Sequence, residues 1–276
     1  MNQSQTNRAK IGLSFVGGHL FICLCVCICI LVLPFSKLLA ATENLKIRIM
    51  LDPGHGGEDT GTKFKYIKEK TIALKVALRL KDALEKDPDF EVFLTRDKDE
   101  FISLSTRSQM AEEKKVALFI SIHANNSSSP RAKGTEFYFE NQNATDEESM
   151  FLANRENNAK DTNGSGTDEK SVDLSNILSD LAHNDHIIMS QQLSQHLLEA
   201  FQKNMRIKTR SLRQAPFKVL GVTMPATLIE LGFLSNPGEA LLLNRPTTQK
   251  MMADAIYDGL KTFKEKLDKI HRLTVK

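Results

Sequence analysis

The stretch KIRIMLDPGHGGEDTG, residues 46–61, decides the fold. Its first six residues alternate polar and apolar side chains, the period of a strand with one buried face. They run into the turn-rich segment DPGHGG, where Gly54, Gly56 and Gly57 flank His55 and let the backbone turn tightly. Residues 69–86 follow, with Ile72, Val76, Leu80, Ala83 and Leu84 on one helical stripe, and Asp87 and Pro88 stop that helix. A strand, a tight turn and an amphipathic helix in succession open a layered α/β domain.

Working outward, the alternation continues. Residues 90–95 read as a strand and residues 103–115 as a helix. Residues 116–122, VALFISI, are nearly all apolar and predict a central strand covered on both faces. Residues 135–139 give a short strand. The segment 141–173 is polar, carries the breaker run Asn163-Gly164-Ser165-Gly166, and predicts one short helix near 146–157. A long helix starts at Leu174 or Asp185 and runs to Lys203. Residues 217–220 and 226–231 read as strands. Residues 247–269 read as a closing helix with Met251, Ala255, Ile256, Leu260 and Phe263 inward. The expectation is a single α/β domain over 42–276, with a mostly parallel or mixed sheet of about six strands flanked by helices. No internal repeat is visible.

The bulk numbers narrow the function classes. The chain has 276 residues, 41% of them hydrophobic and 26% charged, which is ordinary for a folded domain. Residues 1–41 hold Arg8, Lys10 and Lys37 and no acidic residue. Removing these from the 37 basic residues leaves 34, matched by 34 acidic ones, so nothing suggests a grip on nucleic acid. A basic start ending at Lys10, an apolar run over 11–33, Pro34, and the small residues Ala40 and Ala41 read as a targeting segment. The run is also long enough to span a bilayer, so a cleaved signal peptide and a retained inner-membrane anchor both fit. Either one exports the remainder to the periplasm or cell envelope. Cys23, Cys25, Cys27 and Cys29 all lie in that run, which leaves the exported domain no cysteine for a disulfide or a metal.

Any metal in the domain must then use His, Asp or Glu. The first strand leads into His55, the apolar strand into His123, and the late strand ATLIEL carries Glu230 near its end. In open α/β sheets such groups gather beyond the carboxyl ends of the strands. Glu69 opens the first helix and can return to the same edge. Two histidines and a glutamate are a catalytic zinc set with one position left for water, and a further carboxylate can move the proton. Taken singly, each residue has a plainer reading: a hydrogen-bonded histidine, or a helix-start carboxylate. A charged Glu230 closing an apolar run needs a partner or a function. The spacing of His183 and His186 would place both on one helix face, though a solvated surface reading carries more weight.

LDPGHGGEDTG (51–61), Glu69, SIHANN (121–126) and PATLIELGFLSNPGE (225–239) resemble the motifs of the cell-wall amidase family Amidase_3, over roughly residues 46–269. The resemblance implies an N-acetylmuramoyl-L-alanine amidase: one zinc ion on His55, Glu69 and His123, with Glu230 as catalytic carboxylate. Asn125 and Arg213 are candidate substrate contacts, and Ser105, Thr106 and Arg107 read as a structural helix start. In one branch of the family, the amidases of daughter-cell separation, a helical insert blocks the zinc. Residues 146–203 resemble that insert, with Glu147 or Glu148 as the candidate inhibitory carboxylate and an activator protein as the implied partner. Two rival functions remain: a zinc peptidase cutting the stem peptide itself, and a non-catalytic peptidoglycan-binding division protein. No G-x-S-x-G elbow supports a serine hydrolase.

Overall fold

The computed structural model describes residues 46–158, 174–205 and 208–274. The targeting segment expected over 1–41 and the breaker run at 163–166 lie outside them. Among the described residues no helix is long and apolar enough to cross a membrane.

Strand β1 (Ile47–Pro53) takes the alternating segment and pairs in parallel with both β4 (Phe90–Leu94) and β5 (Leu118–Asn125). A two-stranded hairpin, β2 (Lys63–Phe64) with β3 (Ile67–Lys68), leads into helix α1 (Glu69–Leu84). Helix α2 (Leu104–Glu113) starts at Ser103, whose side chain accepts from the Thr106 amide. After β6 (Thr135–Glu140) comes α3 (Glu147–Asn157), capped by Asp146 on the Ser149 amide. The long α4 (Leu174–Asn204), β7 (Thr209–Ala215) and β8 (Ala226–Phe233) follow. The chain closes with α5 (Pro237–Leu243) and α6 (Pro246–Thr274).

The main sheet has six strands in the order β4-β1-β5-β8-β6-β7. All neighbours are parallel except β6 and β8, so the sheet is mixed, as the sequence suggested. Alternate side chains sort onto two layers. Ile49, Leu51, Ile120, Ile122, Ile229 and Leu231 join the core under α1, α4 and α6. Met50, Phe119, Leu228 and Tyr138 join a second, smaller core with Leu152 and Ala153 of α3, and Phe217 and Val219 of the crossing loop.

Residues 217–220 depart from expectation: Lys218–Leu220 is a single 3-10 turn, and the edge strand lies earlier, at β7. Pro216 has no amide to donate and ends β7, while Val219 and Leu220 gain burial by packing as a turn beneath the sheet. The TRSLRQA sequence of β7 hid the strand because its arginines face carboxylates rather than solvent.

Register places the site. On the second-layer face, beyond Met50 and Phe119, Asp52 pairs with Ser121. One step on, His123 pairs with Glu230, and Glu230 with Glu136 of β6. A polar row therefore crosses β5, β8 and β6 toward the carboxyl ends of β5 and β8.

Candidate metal centre and active site

His55 sits in the left-handed region at φ 60°, a conformation a side-chain-bearing residue adopts at some cost. Its loop is braced by buried arginines. Arg107 donates to the His55 carbonyl at 2.8 Å, to Pro53 O at 2.9 Å and to Asp52 at 2.6 Å. Arg96 donates to Pro53 O, Gly54 O and Lys70 O at 2.7–2.9 Å. Burial pulls the Arg96 pKa down to about 10. Burial alone would raise the Asp52 pKa, but Arg107 and Thr95 outweigh it and hold Asp52 ionised. Gly54 is required at its position, since a Cβ there would lie 2.3 Å from the His123 ring.

The four groups named by the sequence converge, and a fifth joins them. Glu69 Oε1 lies 3.0 Å from His55 Nε2 and 3.0 Å from His123 Nδ1. Its carboxylate also accepts from the Ala124 and Thr62 amides. Glu156 Oε2, from α3, lies 3.3 Å from both histidine nitrogens. The donor atoms of His55, Glu69, His123 and Glu156 all fall within 4.8 Å of one another, and all four residues are buried. Ligand atoms around a tetrahedral zinc with bonds of about 2.0–2.1 Å stand about 3.3 Å apart, so these separations fit. His55 Nε2, although that close to two carboxylates, makes a hydrogen bond with neither. It is aimed, as they are, at a shared point. Its other nitrogen bonds Asp59 at 2.7 Å, which fixes the ring with Nε2 inward.

Electrostatics agree. Burial pushes the His55 pKa down, yet Glu69, Asp59 and Glu156 outweigh it and carry it well above the ordinary imidazole value. Burial would raise Glu69, but His55 and His123 hold it well below the carboxylate range. In Glu156, too, the histidines overcome burial and lower the pKa. Such a knot of two imidazoles and two carboxylates could hold a cation.

Glu230 stands apart from the ligand set. It is fully buried beside the cluster, and neither of its oxygens has a hydrogen-bond partner. Burial, then the charges of Glu69 and Glu156, raise its pKa well above the carboxylate value, against Arg155.

The remaining expectations sort as follows. Asn125 donates to Glu136 at 2.7 Å, and Arg155 donates to Asn125 Oδ1 at 3.3 Å. Arg213 lies on β7, 3.1 Å from Glu148 and 3.3 Å from Asp146. Glu147 and Glu148, expected as inhibitory carboxylates, do not reach the histidines. Glu147 is exposed, and Glu148 is bound by Arg210 and Arg213. The carboxylate that reaches them is Glu156, two helical turns later, because α3 docks with its C-terminal end over the cluster. Arg107 is more than a helix start, since it carries the His55 carbonyl. Glu136, Arg210, Arg155 and Glu156 were missed. The available signal was Glu136, a charge within the strand TEFYFE. Among the described residues no second metal-binding group forms, and the side chain of His183 lies outside them.

A mixed α/β sheet with a buried His–Glu–His–Glu cluster that could hold a metal ion at its carboxyl edge, and an unpartnered glutamate beside it, has the layout of a hydrolase site. The chain belongs to the N-acetylmuramoyl-L-alanine amidase family Amidase_3, whose family model matches residues 49–262. It is 34% identical over 228 residues to N-acetylmuramoyl-L-alanine amidase AmiA of Escherichia coli, covering 82% of this chain and 78% of that one. It is 34% identical over 226 residues to the probable amidase AmiB of Haemophilus influenzae, covering 79% of this chain but only 52% of AmiB. The catalytic domain of the amidase CwlV from Bacillus (Paenibacillus) polymyxa var. colistinus superposes with a TM-score of 0.61 at 28% identity, over 80% of this chain and 99% of CwlV. An amidase from Clostridium difficile 630 gives the same TM-score at 26% identity, over 80% of this chain and 97% of that one.

Proposed function

We propose that this amidase hydrolyses the bond between the lactyl carbonyl of N-acetylmuramic acid and L-alanine, with zinc on His55, Glu69 and His123 and with Glu230 as the proton carrier. The observation that supports it most is Glu230: a buried carboxylate without a partner, next to a converging His–Glu–His set. Bound there, zinc would supply Lewis acidity for the carbonyl and for the attacking water. Glu230 takes the proton of that water and hands it to the leaving alanine nitrogen. Its pKa, raised by burial and by the charges of Glu69 and Glu156, favours holding a proton once taken, which suits a group that must both accept and return one. Asp59 keeps His55 oriented, and the Arg96 and Arg107 bonds keep its loop rigid.

The same reading makes the resting enzyme closed. Glu156 fills the position that the attacking water and the scissile amide would share, and α3 covers the centre. Arg155 and Glu156 leave together when α3 lifts, so their opposite effects on Glu230 are removed together. A partner protein that binds α3 in its lifted position would activate the enzyme by shifting a two-state equilibrium. Work on the wall during daughter-cell separation, in the periplasm or cell envelope, fits such a controlled enzyme.

Purified peptidoglycan incubated with the full chain carrying Glu156→Ala tests the reaction. Zinc-dependent release of peptides beginning with L-alanine, lost with chelator and in the Glu230→Gln background, is the expected result. Fragments cut within the stem would instead identify a peptidase. No release from folded, zinc-loaded protein would overturn the reading.

A further inference from the structure

Arg210 and Arg213 form a cationic pair on β7, and in the closed structure they are spent on α3. Arg210 Nη2 lies 3.2 Å from Glu148, and Arg213 Nη1 lies 3.1 Å from Glu148 and 3.3 Å from Asp146. Their other carboxylate is Glu136, 2.9 Å from Arg210 and 3.6 Å from Arg213, fully buried and shared with Asn125 and Tyr138. One internal carboxylate serves two guanidinium groups. When α3 lifts, Asp146 and Glu148 go with it, and a mostly buried Arg213 is left without an adequate counter-charge. A cation so placed is costly unless another anion replaces the lost one.

The position indicates which anion. Glu136 is the register partner of Glu230, so the pair stands at the end of the same polar row, one strand beyond β6. Strands are about 4.8 Å apart, which sets the pair roughly 10–15 Å from the metal centre. Glu148 and Glu156 are eight residues apart on one helix, about 12 Å along its axis. An extended peptide covers that distance in about three to four residues.

We infer that α3 is an internal copy of the substrate: Glu156 holds the place of the scissile amide, and Asp146 and Glu148 hold the place of a stem-peptide carboxylate about three residues further on. Arg210 and Arg213 are then the anionic subsite that gives the enzyme its register on the stem. This rests on the hydrolytic reading above. It adds that the regulatory helix and the substrate compete for two anchors rather than one.

The probes are a muramoyl tripeptide with a free C-terminal carboxylate and the same tripeptide as a C-terminal carboxamide. Binding is measured calorimetrically to the full chain carrying Glu156→Ala and Glu230→Gln, so that no turnover intervenes. The free acid should bind about tenfold tighter. That preference should vanish on adding Arg210→Gln and Arg213→Gln and be partly kept by Arg213→Lys. In the chain otherwise unaltered, Arg213→Gln should loosen α3 and raise kcat while also raising KM, which simple damage to the fold would not do. Equal binding of the two peptides, a preference that survives loss of both arginines, or no binding of either would overturn the subsite. Turnover of both peptides without preference by the Glu156→Ala chain would overturn it too, leaving the amidase reading intact. A clear carboxylate preference without any turnover would do the reverse.

Discussion

Glu230 carries opposite consequences for activity and stability. Its carboxylate is buried without a hydrogen bond, a cost retained for chemistry. Glu230→Gln removes the charge and keeps the shape. Hydrolysis should fall by about 10²–10⁴, the usual worth of a general base, while the melting temperature of the metal-free protein stays level or rises. A marked drop in melting temperature would mean that the carboxylate supports the fold instead. Arg107 predicts the contrary pattern. It ties Asp52, Pro53 and His55 together from inside, so Arg107→Ala leaves the buried Asp52 without its counter-charge, held only by the Thr95 and Ser121 hydroxyls. Urea titration should show a loss of about 3–5 kcal/mol, with metal affinity falling because the His55 loop is released. A stable Arg107→Ala protein with unaltered zinc binding would refute the bracing role. That His55, Glu69, His123 and Glu230 gather at one edge was legible in the sequence, because each follows or closes a strand, or opens a helix, there. Arg107 was not, because the use of its long side chain depends on a loop more than fifty residues away.

Helix α3 shows what a detachable element looks like. Its apolar footprint among the core residues is Leu152 and Ala153, and polar ties at its two ends hold the rest. Asp146 and Glu148 meet Arg213 at one end. At the other, Asn157 donates to Pro216 O at 2.7 Å and accepts from the Lys218 amide at 2.7 Å. Few apolar contacts and many exchangeable polar ones define the low-stability units that move in regulation. Glu156→Ala removes the contact with both histidines and shifts the balance toward the lifted state. Losing about 1.4 kcal/mol or more of differential binding would raise partner-free turnover at least about tenfold. Turnover equal to the parent chain would sink the blocking role. The helix itself could be read from the sequence, boundaries included, since Asp146 caps it and a polar, breaker-rich stretch follows it. Which of its three acidic residues, Glu147, Glu148 or Glu156, faces the histidines could not. Helical phase is set by Leu152 and Ala153 docking on Phe217 and Val219, and residues 217–220 had been expected as a strand.

At the scale of the whole molecule, the sheet is held between two helical layers, and the chain's last long helix closes the larger one. Helix α6 packs against α1 and α4, with Ile256, Leu260 and Phe263 fully buried, and a polar clamp fixes its register. Asp87, just past the end of α1, accepts from Tyr257 Oη at 2.7 Å and from Lys261 Nζ at 2.9 Å. The Lys261 hydrogen bond, against some burial, with help from Tyr257, pulls the Asp87 pKa from 3.8 down to about 2. A carboxyl group whose folded pKa lies below its unfolded value adds stability that is fully present above pH 4. That contribution fades as pH falls through about 2. Lys261 is well exposed, so solvent screening keeps the clamp's contribution small, about a few degrees of melting temperature at most in a domain of this size. Asp87→Asn should therefore melt a few degrees below the parent at pH 7, with the gap narrowing below pH 4 and closing near pH 2. A gap of constant size across that range would assign the loss to packing around the loop. The ion pair would then have no part in seating α6 on the sheet.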